Sequence, residues 1–352
     1  MRALAEIDKN FKVEKLGSAE YAFRDCREEP FRIYGLLMPT EETPHFMRMP
    51  QAIADQVNVQ VQELACNTTG GRIRFKTDSA KVAVRVWMHD VLKAPHFPLT
   101  GSAGLDLYAD GIYRGTYVPP YDMTDYFEGR VDMKSPGMRE ILIHMPLYAG
   151  VIKLEIGVEP GSQLLPAEEY KHKVPVLYYG SSITQGACAS RPGNSYQNII
   201  SRELSCDQVN LGFSSGALAE EVMIDYLTKQ KMSVFVMDYD HNAPNPAHLA
   251  ATHEKLYRAM RKAQPELPII MITMPKIVLN DDILQRKAVV RATYEKAVAE
   301  GDTKVRYIDG CEMIQCMGTD GGLVDNAHPN DLGFLCMAKV IGAAVKEFLV
   351  EA

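Results

Sequence analysis

Residues 174–186 read VPVLYYGSSITQG, an apolar run that passes directly into a Gly-Ser-Ser turn. A short apolar run that ends in a turn signal is typical of a buried strand in a parallel sheet. The same rhythm continues to the C terminus, and the predicted strands cover residues 174–179, 208–211, 233–237, 268–273 and 305–308. The helices predicted between and after them cover residues 195–204, 219–228, 249–262, 284–299 and 334–350. This alternation predicts a five-stranded, parallel, doubly wound α/β sheet of the flavodoxin-like kind.

The sequence before residue 160 has a different texture, with short alternating segments and no long helical pattern. Residues 72–77 and 81–87 alternate polar and apolar side chains, which predicts half-buried antiparallel strands with one face in water. Asp110-Gly111 separates two further strand segments and favours a tight hairpin turn. Strands are also predicted at 139–145 and 152–158. These features together indicate a jelly-roll-like β-sandwich.

The chain has 352 residues, which suits two domains of ~100–200 residues each. The polar stretch over residues 160–173 is the expected linker. We therefore predict a β-sandwich domain over residues 1–165 and an α/β domain over residues 172–352.

Composition excludes several classes of protein. The chain carries 38 Lys and Arg residues against 45 Asp and Glu residues, a net charge of −7, so a general nucleic-acid binder is not expected. No block of basic residues points to a membrane surface as partner, and no apolar run is long enough for a membrane-spanning helix.

The cysteines and the first residues bear on the cellular compartment. Seven cysteines are widely spaced, and an odd number of this kind predicts reduced thiols instead of a disulfide framework. Their spacing predicts no structural zinc site. The first residues, MRALAEIDKN, lack the apolar segment of a secretory signal, which favours a cytoplasmic location.

Small or polar residues follow the predicted strands, at the sheet edge where doubly wound folds bind ligands. Ser182 can present a hydroxyl after the first strand, Gly212 a bare N–H after the second, and Asn242 a carboxamide after the third. In the loop before the last helix, Asp325 precedes His328 by three residues. In a compact turn that carboxylate can hold the imidazole for proton transfer.

Each of these signals also has a purely structural interpretation. A Gly-Ser turn commonly follows a strand, and Gly212 fits an ordinary turn. Asn242 stands in a proline-containing loop, and a lone Asp-x-x-His is more often a capping feature. His241 is a second candidate for a catalytic imidazole.

The set as a whole resembles the SGNH (GDSL-type) hydrolases, which are named for Ser, Gly, Asn and His blocks in this order. The resemblance implies that Ser182 is the nucleophile and His328 the base, with Asp325 as its acid partner. It implies that the Ser182 N–H, the Gly212 N–H and the Asn242 side chain form the oxyanion hole. The sequence departs from the best-known pattern in two places: Ser181 replaces an Asp, and DHNA at residues 240–243 replaces Gly-x-Asn-Asp.

The first half of the chain carries its own resemblance. Residues 104–108 read GLDLY, which resembles the Gly-x-Asp-Leu-Tyr signature of the β-sandwich that precedes one branch of these esterases. Residues 71–79, GRIRFKTDS, are similar to the same domain. The resemblance therefore covers nearly the whole chain apart from about the first thirty residues.

The resemblance implies two-step ester hydrolysis through an acyl-serine intermediate, with neither a metal nor an organic cofactor. The branch also includes carbohydrate acetylesterases, so we expect a small-molecule or oligosaccharide ester as substrate. Expected substrate contacts are Arg191, Asn194 and the aromatic residues Tyr108, Trp87 and Tyr113. Arg191 and Asn194 could equally well be ordinary polar residues of a loop and a helix start. The aromatic residues lie on predicted strands, where such side chains more often belong to the core. A short-chain lipid esterase, a thioesterase and a non-catalytic carbohydrate-binding protein are the alternatives, and a homo-oligomer is compatible with the sequence.

Overall fold

A computed structural model describes residues 16–17 and 20–350. The expectation drawn from the first ten residues, that no secretory signal is present, therefore falls outside the described residues. Within the described part of the chain, none of the helices has the length and apolar character that a bilayer crossing needs.

The N-terminal half folds as two antiparallel sheets. One has the strand order β1-β9-β4-β7 and the other β10-β3-β8-β5-β6, with β2 paired to β3. The strands are β1 (Ala22–Asp25), β2 (Arg32–Tyr34), β3 (Arg72–Thr77), β4 (Lys81–His89), β5 (Leu105–Ala109), β6 (Ile112–Tyr117), β7 (Tyr126–Asp132), β8 (Arg139–His144), β9 (Gly150–Val158) and β10 (Leu164–Leu165). The predicted hairpin joins β5 to β6, and Asp110 and Gly111 both have positive φ, at 51° and 76°.

Alternating side chains from both sheets form one shared core. Ile73 and Phe75 of β3 lie in the same buried cluster as Val82, Val84 and Val86 of β4, which belongs to the other sheet. This shared core confirms the predicted β-sandwich. Three short helices were not predicted: α1 (Gln51–Val57), α2 (Val59–Leu64) and α3 (Leu99–Ser102).

The C-terminal half is built on the predicted parallel five-stranded sheet, and its strands lie in the order β12-β11-β13-β14-β15. Its strands are β11 (His172–Gly180), β12 (Cys206–Gly212), β13 (Val234–Asp238), β14 (Ile269–Ile272) and β15 (Val305–Ile308). Its α-helices are α4 (Ser182–Gln185), α5 (Tyr196–Leu204), α6 (Glu221–Thr228), α7 (Pro246–Ala263), α8 (Asp281–Ala299), α9 (Gly310–Ile314) and α10 (Asp331–Val350). The change from one sheet system to the other falls between β10 and β11. We therefore retain the division into domains 1–165 and 172–352 as a proposal.

The prediction that β3 has one face in water is wrong. Arg72 and Arg74, on its polar face, are both buried. Arg72 Nη2 pairs with the Asp207 carboxylate of β12 at 2.5 Å, and the Arg74 guanidinium pairs with Glu140 and lies over the Tyr170 ring. The face is polar because it packs against the α/β half and the linker, and alternation alone cannot distinguish that partner from water.

A buried carboxylate joins the two halves. Asp106 of β5 is fully buried and accepts hydrogen bonds from His144 Nδ1 at 2.7 Å, Arg191 Nη1 at 2.8 Å and the Gly193 N–H at 2.8 Å. Arg191 also donates to the Tyr108 hydroxyl at 2.6 Å. The GLDLY signature therefore anchors the loop that follows the Ser182 helix, because its Asp and Tyr side chains both bind that loop.

We predict that Asp106→Ala destabilises the protein by about 3–5 kcal/mol, because it leaves the Arg191 charge and the Gly193 N–H without their buried partner. Urea denaturation of the variant and the wild type measures the difference. Asp225→Ala is the control, since Asp225 forms an exposed pair with Lys229 and should cost at most about 0.5 kcal/mol. Equal effects of the two substitutions would show that the buried carboxylate does not hold the halves together.

Candidate active site

Ser182 lies just beyond the carboxyl end of β11, the strand between β12 and β13. Ser181 caps α4 by accepting a hydrogen bond from the Ile183 N–H at 3.2 Å, so Ser182 is the first residue of the helix. Gly180 precedes this turn, and a Cβ there would lie 2.1 Å from Thr184 Oγ1. The close packing that presents Ser182 thus requires a residue without a side chain.

Ser182, His328 and Asp325 form a continuous hydrogen-bonded chain. Ser182 Oγ lies 2.9 Å from His328 Nε2, and His328 Nδ1 lies 2.8 Å from Asp325 Oδ2. Asp325 Oδ1 accepts from the N–H groups of Ala327 and His328, at 3.1 and 2.8 Å. The loop between α9 and α10 therefore folds around one carboxylate, and that carboxylate orients the imidazole toward the Ser182 hydroxyl.

Electrostatics keep the Asp325 carboxyl ionised. Burial raises its pKa, but the His328 N–H, the His328 imidazole and the Ala327 N–H outweigh burial and lower the pKa to about 2. An ionised Asp325 can only accept, so the proton on His328 sits at Nδ1 when the ring is neutral. Nε2 is then free to accept the proton of the Ser182 hydroxyl.

The expectation that the Gly212 N–H serves as an oxyanion donor is wrong. That N–H donates to Asn210 Oδ1 at 2.8 Å and is not free for a substrate. A glycine is required at position 212 for a steric reason, because a Cβ there would lie 2.3 Å from the Gln185 N atom. The glycine lets the end of β12 pack directly against α4.

Asn242 lies in the loop after β13, where the sequence placed it. Its Nδ2 donates to the Phe213 carbonyl at 2.8 Å, and a carboxamide carries a second N–H. The same carbonyl closes a turn by accepting from the Gly216 N–H at 3.0 Å. Ser215 stands in this turn at φ 58°, and its own N–H donates to no other group in the described part of the chain. The sequence signal for this turn, Ser-Ser-Gly after a strand, is weak.

His241, the second candidate for a catalytic imidazole, does not contact Ser182. Its ring centroid lies 6.4 Å from that of His328. Burial, followed by the charges of Lys276 and His328, lowers the pKa of His241 to about 4. The imidazole that the structure brings to the Ser182 hydroxyl is that of His328.

The residues expected to contact substrate have other partners. Arg191 Nη1 donates to both the Tyr108 hydroxyl and the Asp106 carboxylate, at the joint between the two halves. Asn194 donates to Ser190 Oγ at 3.3 Å in the same loop.

The two other aromatic residues lie on the sandwich. The Trp87 ring packs 5.0 Å from that of Tyr126, and Lys153 Nζ lies 4.9 Å from the Trp87 ring centre, all within one sheet. The Arg191 guanidinium lies over the Tyr113 ring, and its Cζ is 4.0 Å from the ring centre. Both rings thus lie beside a cation, and their role as substrate contacts stays a prediction.

Three residues close to the site carry no signal in the sequence. Tyr148, from the sandwich half, donates its hydroxyl to the Ser182 carbonyl at 3.2 Å. The ring of His96, also from that half, lies 5.8 Å from the His328 ring. Cys188, in the loop after α4, is buried and has a φ of 74°. The β-sandwich therefore borders the site directly.

A buried acid lies beneath the Ser182 helix. Asp238 Oδ2, at the end of β13, accepts from Thr184 Oγ1 at 2.9 Å and from the Tyr196 hydroxyl at 3.1 Å. Burial, and then the charge of Asp240, raises the pKa of Asp238 to about 7. This carboxyl is therefore protonated in the folded protein over a pH range in which the unfolded chain would ionise it.

A surface depression of about 650 Å³ lies elsewhere on the α/β half. His172 and Lys173 at the start of β11, with Pro268 just before β14, are among its lining residues. Because it borders the amino ends of the strands, it is at the opposite edge of the sheet from Ser182.

Comparison with known families assigns both halves of the chain. Residues 173–346 match the GDSL-like lipase/acylhydrolase family. Residues 21–164 match the family described as the N-terminus of SGNH-hydrolase-type esterases. A search of curated proteins found no match.

Solved structures share the whole fold. A Bacteroides ovatus protein described as a GDSL-like lipase is 27% identical with a TM-score of 0.82, and the match covers 94% of this chain and 98% of that one. A salicylyl-acyltransferase from a tetracycline biosynthetic pathway is 20% identical with a TM-score of 0.76, over 96% and 98% of the two chains. A family two carbohydrate esterase from Cellvibrio japonicus is 11% identical with a TM-score of 0.62, over 93% and 98%.

We predict that Asp238→Asn becomes progressively more stable than the wild type as pH rises from 5 to 8. The folded-state pKa lies above the unfolded value of about 3.9, so the wild type loses stability as pH rises between about 4 and 7, while Asn cannot ionise. Between pH 5 and pH 8, the free energy of unfolding of Asp238→Asn relative to the wild type should increase by about 2–3 kcal/mol, measured by urea denaturation at both pH values.

The exposed Asp225→Asn variant is the control for this measurement, and it should show no such pH-dependent gain. A difference between Asp238→Asn and wild type that is the same at pH 5 and pH 8 would contradict the raised pKa.

Proposed function

Residues 173–346 of this chain belong to the GDSL-like lipase/acylhydrolase family, and we propose that the protein is a serine esterase that removes short acyl groups, acetyl above all, from carbohydrate esters. The observation that carries this proposal is the hydrogen-bonded chain from Ser182 Oγ through His328 to Asp325. It is the arrangement that activates a hydroxyl for attack on a carbonyl carbon.

In the proposed mechanism, His328 Nε2 takes the Ser182 proton while Oγ attacks the acyl carbonyl. The imidazolium that forms is stabilised by the Asp325 carboxylate and then gives its proton to the leaving alcohol oxygen. Water, deprotonated by the same imidazole, hydrolyses the acyl-serine and regenerates the hydroxyl. No step needs a metal or an organic cofactor.

We assign the oxyanion hole to the N–H of Ser182, the second amide N–H of Asn242 and the N–H of Ser215. Ser215 takes the place expected for Gly212, because the Gly212 N–H is already bonded to Asn210. A backbone N–H in a turn at the end of a parallel strand can donate to developing charge without reorganisation.

Three observations favour a small acyl group on a sugar. Ser182 is largely buried, with only 6% of the residue exposed, which limits the bulk of the acyl group that can reach its hydroxyl. Tyr148 of the sandwich binds the Ser182 carbonyl, so the sandwich and the α/β half both border the site. Family two carbohydrate esterases share the two-part fold, which is compatible with this substrate class.

We predict that Ser182→Ala and His328→Ala each lower the turnover of an aryl acetate on the order of 10⁴–10⁶-fold, because both act in the same proton transfer. Asp325→Asn should cost on the order of 10⁴-fold, because it disturbs the imidazole tautomer. Steady-state rates measure these losses, and circular dichroism checks the fold.

Ser135→Ala, at an exposed serine of the sandwich, and His241→Ala are the matched controls and should remain active. If His241→Ala lost as much activity as His328→Ala, the assignment of the base would fail. Equal residual rates for wild type and Ser182→Ala would instead favour a non-catalytic carbohydrate-binding protein.

We predict that aryl ester turnover falls steeply beyond propionyl when the acyl chain is lengthened from acetyl to octanoyl, because Ser182 is largely buried. Release of acetate from acetylated oligosaccharides, with Ser182→Ala as the blank, then tests the sugar. A rate that rises with chain length would support a lipid esterase or thioesterase and overturn the acetyl preference.

A further inference from the structure

His96, Cys188 and His328 form a group of metal-ligand side chains at the candidate active site. One imidazole nitrogen of each histidine and the cysteine Sγ all lie within 4.8 Å of one another. The three residues come from three separate segments: the loop after β4 in the sandwich, the loop after α4, and the loop before α10. The fold, not a local sequence motif, brings them together.

The donor set suits a borderline-soft divalent cation. Two imidazoles and one thiolate match the ligands of Zn²⁺, with Zn–N near 2.0–2.1 Å and Zn–S near 2.3 Å. Tetrahedral coordination at those lengths would put the ligand atoms roughly 3.3–3.6 Å apart, so small side-chain rotations suffice. His96 is exposed and can make most of that movement.

A metal at this position would compete with catalysis. His328 Nδ1 is held by Asp325 Oδ2 at 2.8 Å, so Nε2 is the nitrogen that remains for a cation. Nε2 is also the atom that lies 2.9 Å from Ser182 Oγ. A nitrogen that gives its lone pair to a metal cannot accept the Ser182 proton.

The carboxylate on Nδ1 would also favour the metal. Histidines that bind metals commonly donate the other ring N–H to a carboxylate, which fixes the ring and makes the ligating nitrogen more basic. Asp325 already does this for His328. The same pair that prepares the base for catalysis therefore prepares it as a ligand.

We propose that His96, Cys188 and His328 form an inhibitory site for a thiophilic divalent cation of the Zn²⁺ type. The cation bonds to Cys188 Sγ, whose proton leaves to solvent, and to one nitrogen of each imidazole, and it withdraws His328 from Ser182. The inference deepens the proposed function, because it rests on His328 acting as the base. Catalysis itself needs no metal, so removal of metal should leave the rate unchanged or raise it.

The first test measures aryl acetate turnover by the chelator-treated full-length protein against buffered free Zn²⁺. We expect strong inhibition that EDTA reverses. His96→Ala and Cys188→Ser should keep the metal-free rate close to wild type and shift the inhibition midpoint upward by roughly 10–100-fold or more. Cys316→Ala, which removes an exposed thiol elsewhere, is the matched control, and Zn²⁺ should inhibit it with the same midpoint as the wild type.

The second test uses Co²⁺ absorption, which does not depend on activity. A thiolate-to-cobalt band should appear in the wild type, vanish in Cys188→Ser and weaken in His96→Ala. His96→Ala changes an exposed residue, so it keeps the test valid if Cys188→Ser fails to fold.

The two tests separate the failure of this inference from the failure of the esterase proposal. Inhibition with the same midpoint in wild type and His96→Ala, or no cobalt band, would overturn the metal site and leave the esterase intact. One source of such a result is binding at the other ligand group, Cys66, His89 and Asp90. A cobalt band that needs Cys188 without any loss of rate would overturn both the inhibition and the role of His328 as base.

Discussion

The position of Ser182 depends on how tightly α4 packs against the ends of three parallel strands. Gly180 and Gly212 have no room for a Cβ, because α4 and the end of β13 fill that space. Asp238 receives a hydrogen bond from Thr184 within α4, and Gln185 at its end donates to Asn67 of the sandwich. A helix of one turn has little stability of its own, so these contacts are what hold it. The alignment of the Ser182 hydroxyl with His328 follows from that packing.

The sandwich is a structural part of the site. Thr69 donates to the Gln185 carbonyl at 2.7 Å, and Tyr148 donates to the Ser182 carbonyl, so both bind the backbone of α4 from the N-terminal half. Asp106 fixes the following loop. The two family matches, over residues 21–164 and 173–346, cover both of the halves that meet here.

Much of this architecture could be predicted from the sequence, because the strongest signals were local. The run at 174–179 and the strand Val305–Ile308 are apolar segments between turn signals, and both are strands in the structure. The Asp-x-x-His spacing likewise predicted a compact loop. Failures occurred where long-range packing decides the outcome. Arg72 faces Asp207, which is 135 residues away in the sequence, instead of water. Asn210 is only two residues from Gly212, but its side chain is held by a contact with the Thr184 carbonyl, and in that orientation it takes the Gly212 N–H. His96 near His328 could not have been found, since only the fold joins their segments.

The ion pair between Arg72 and Asp207 has a consequence for how such proteins can be recombined. A buried guanidinium on one half and its carboxylate on the other must be inherited together, since either one alone would be left desolvated and unpaired. A chimera that grafts a foreign sandwich onto this α/β half would need a matching cation opposite Asp207. The pair therefore restricts exchange of the whole sandwich, because the foreign domain must place a cation where Arg72 lies.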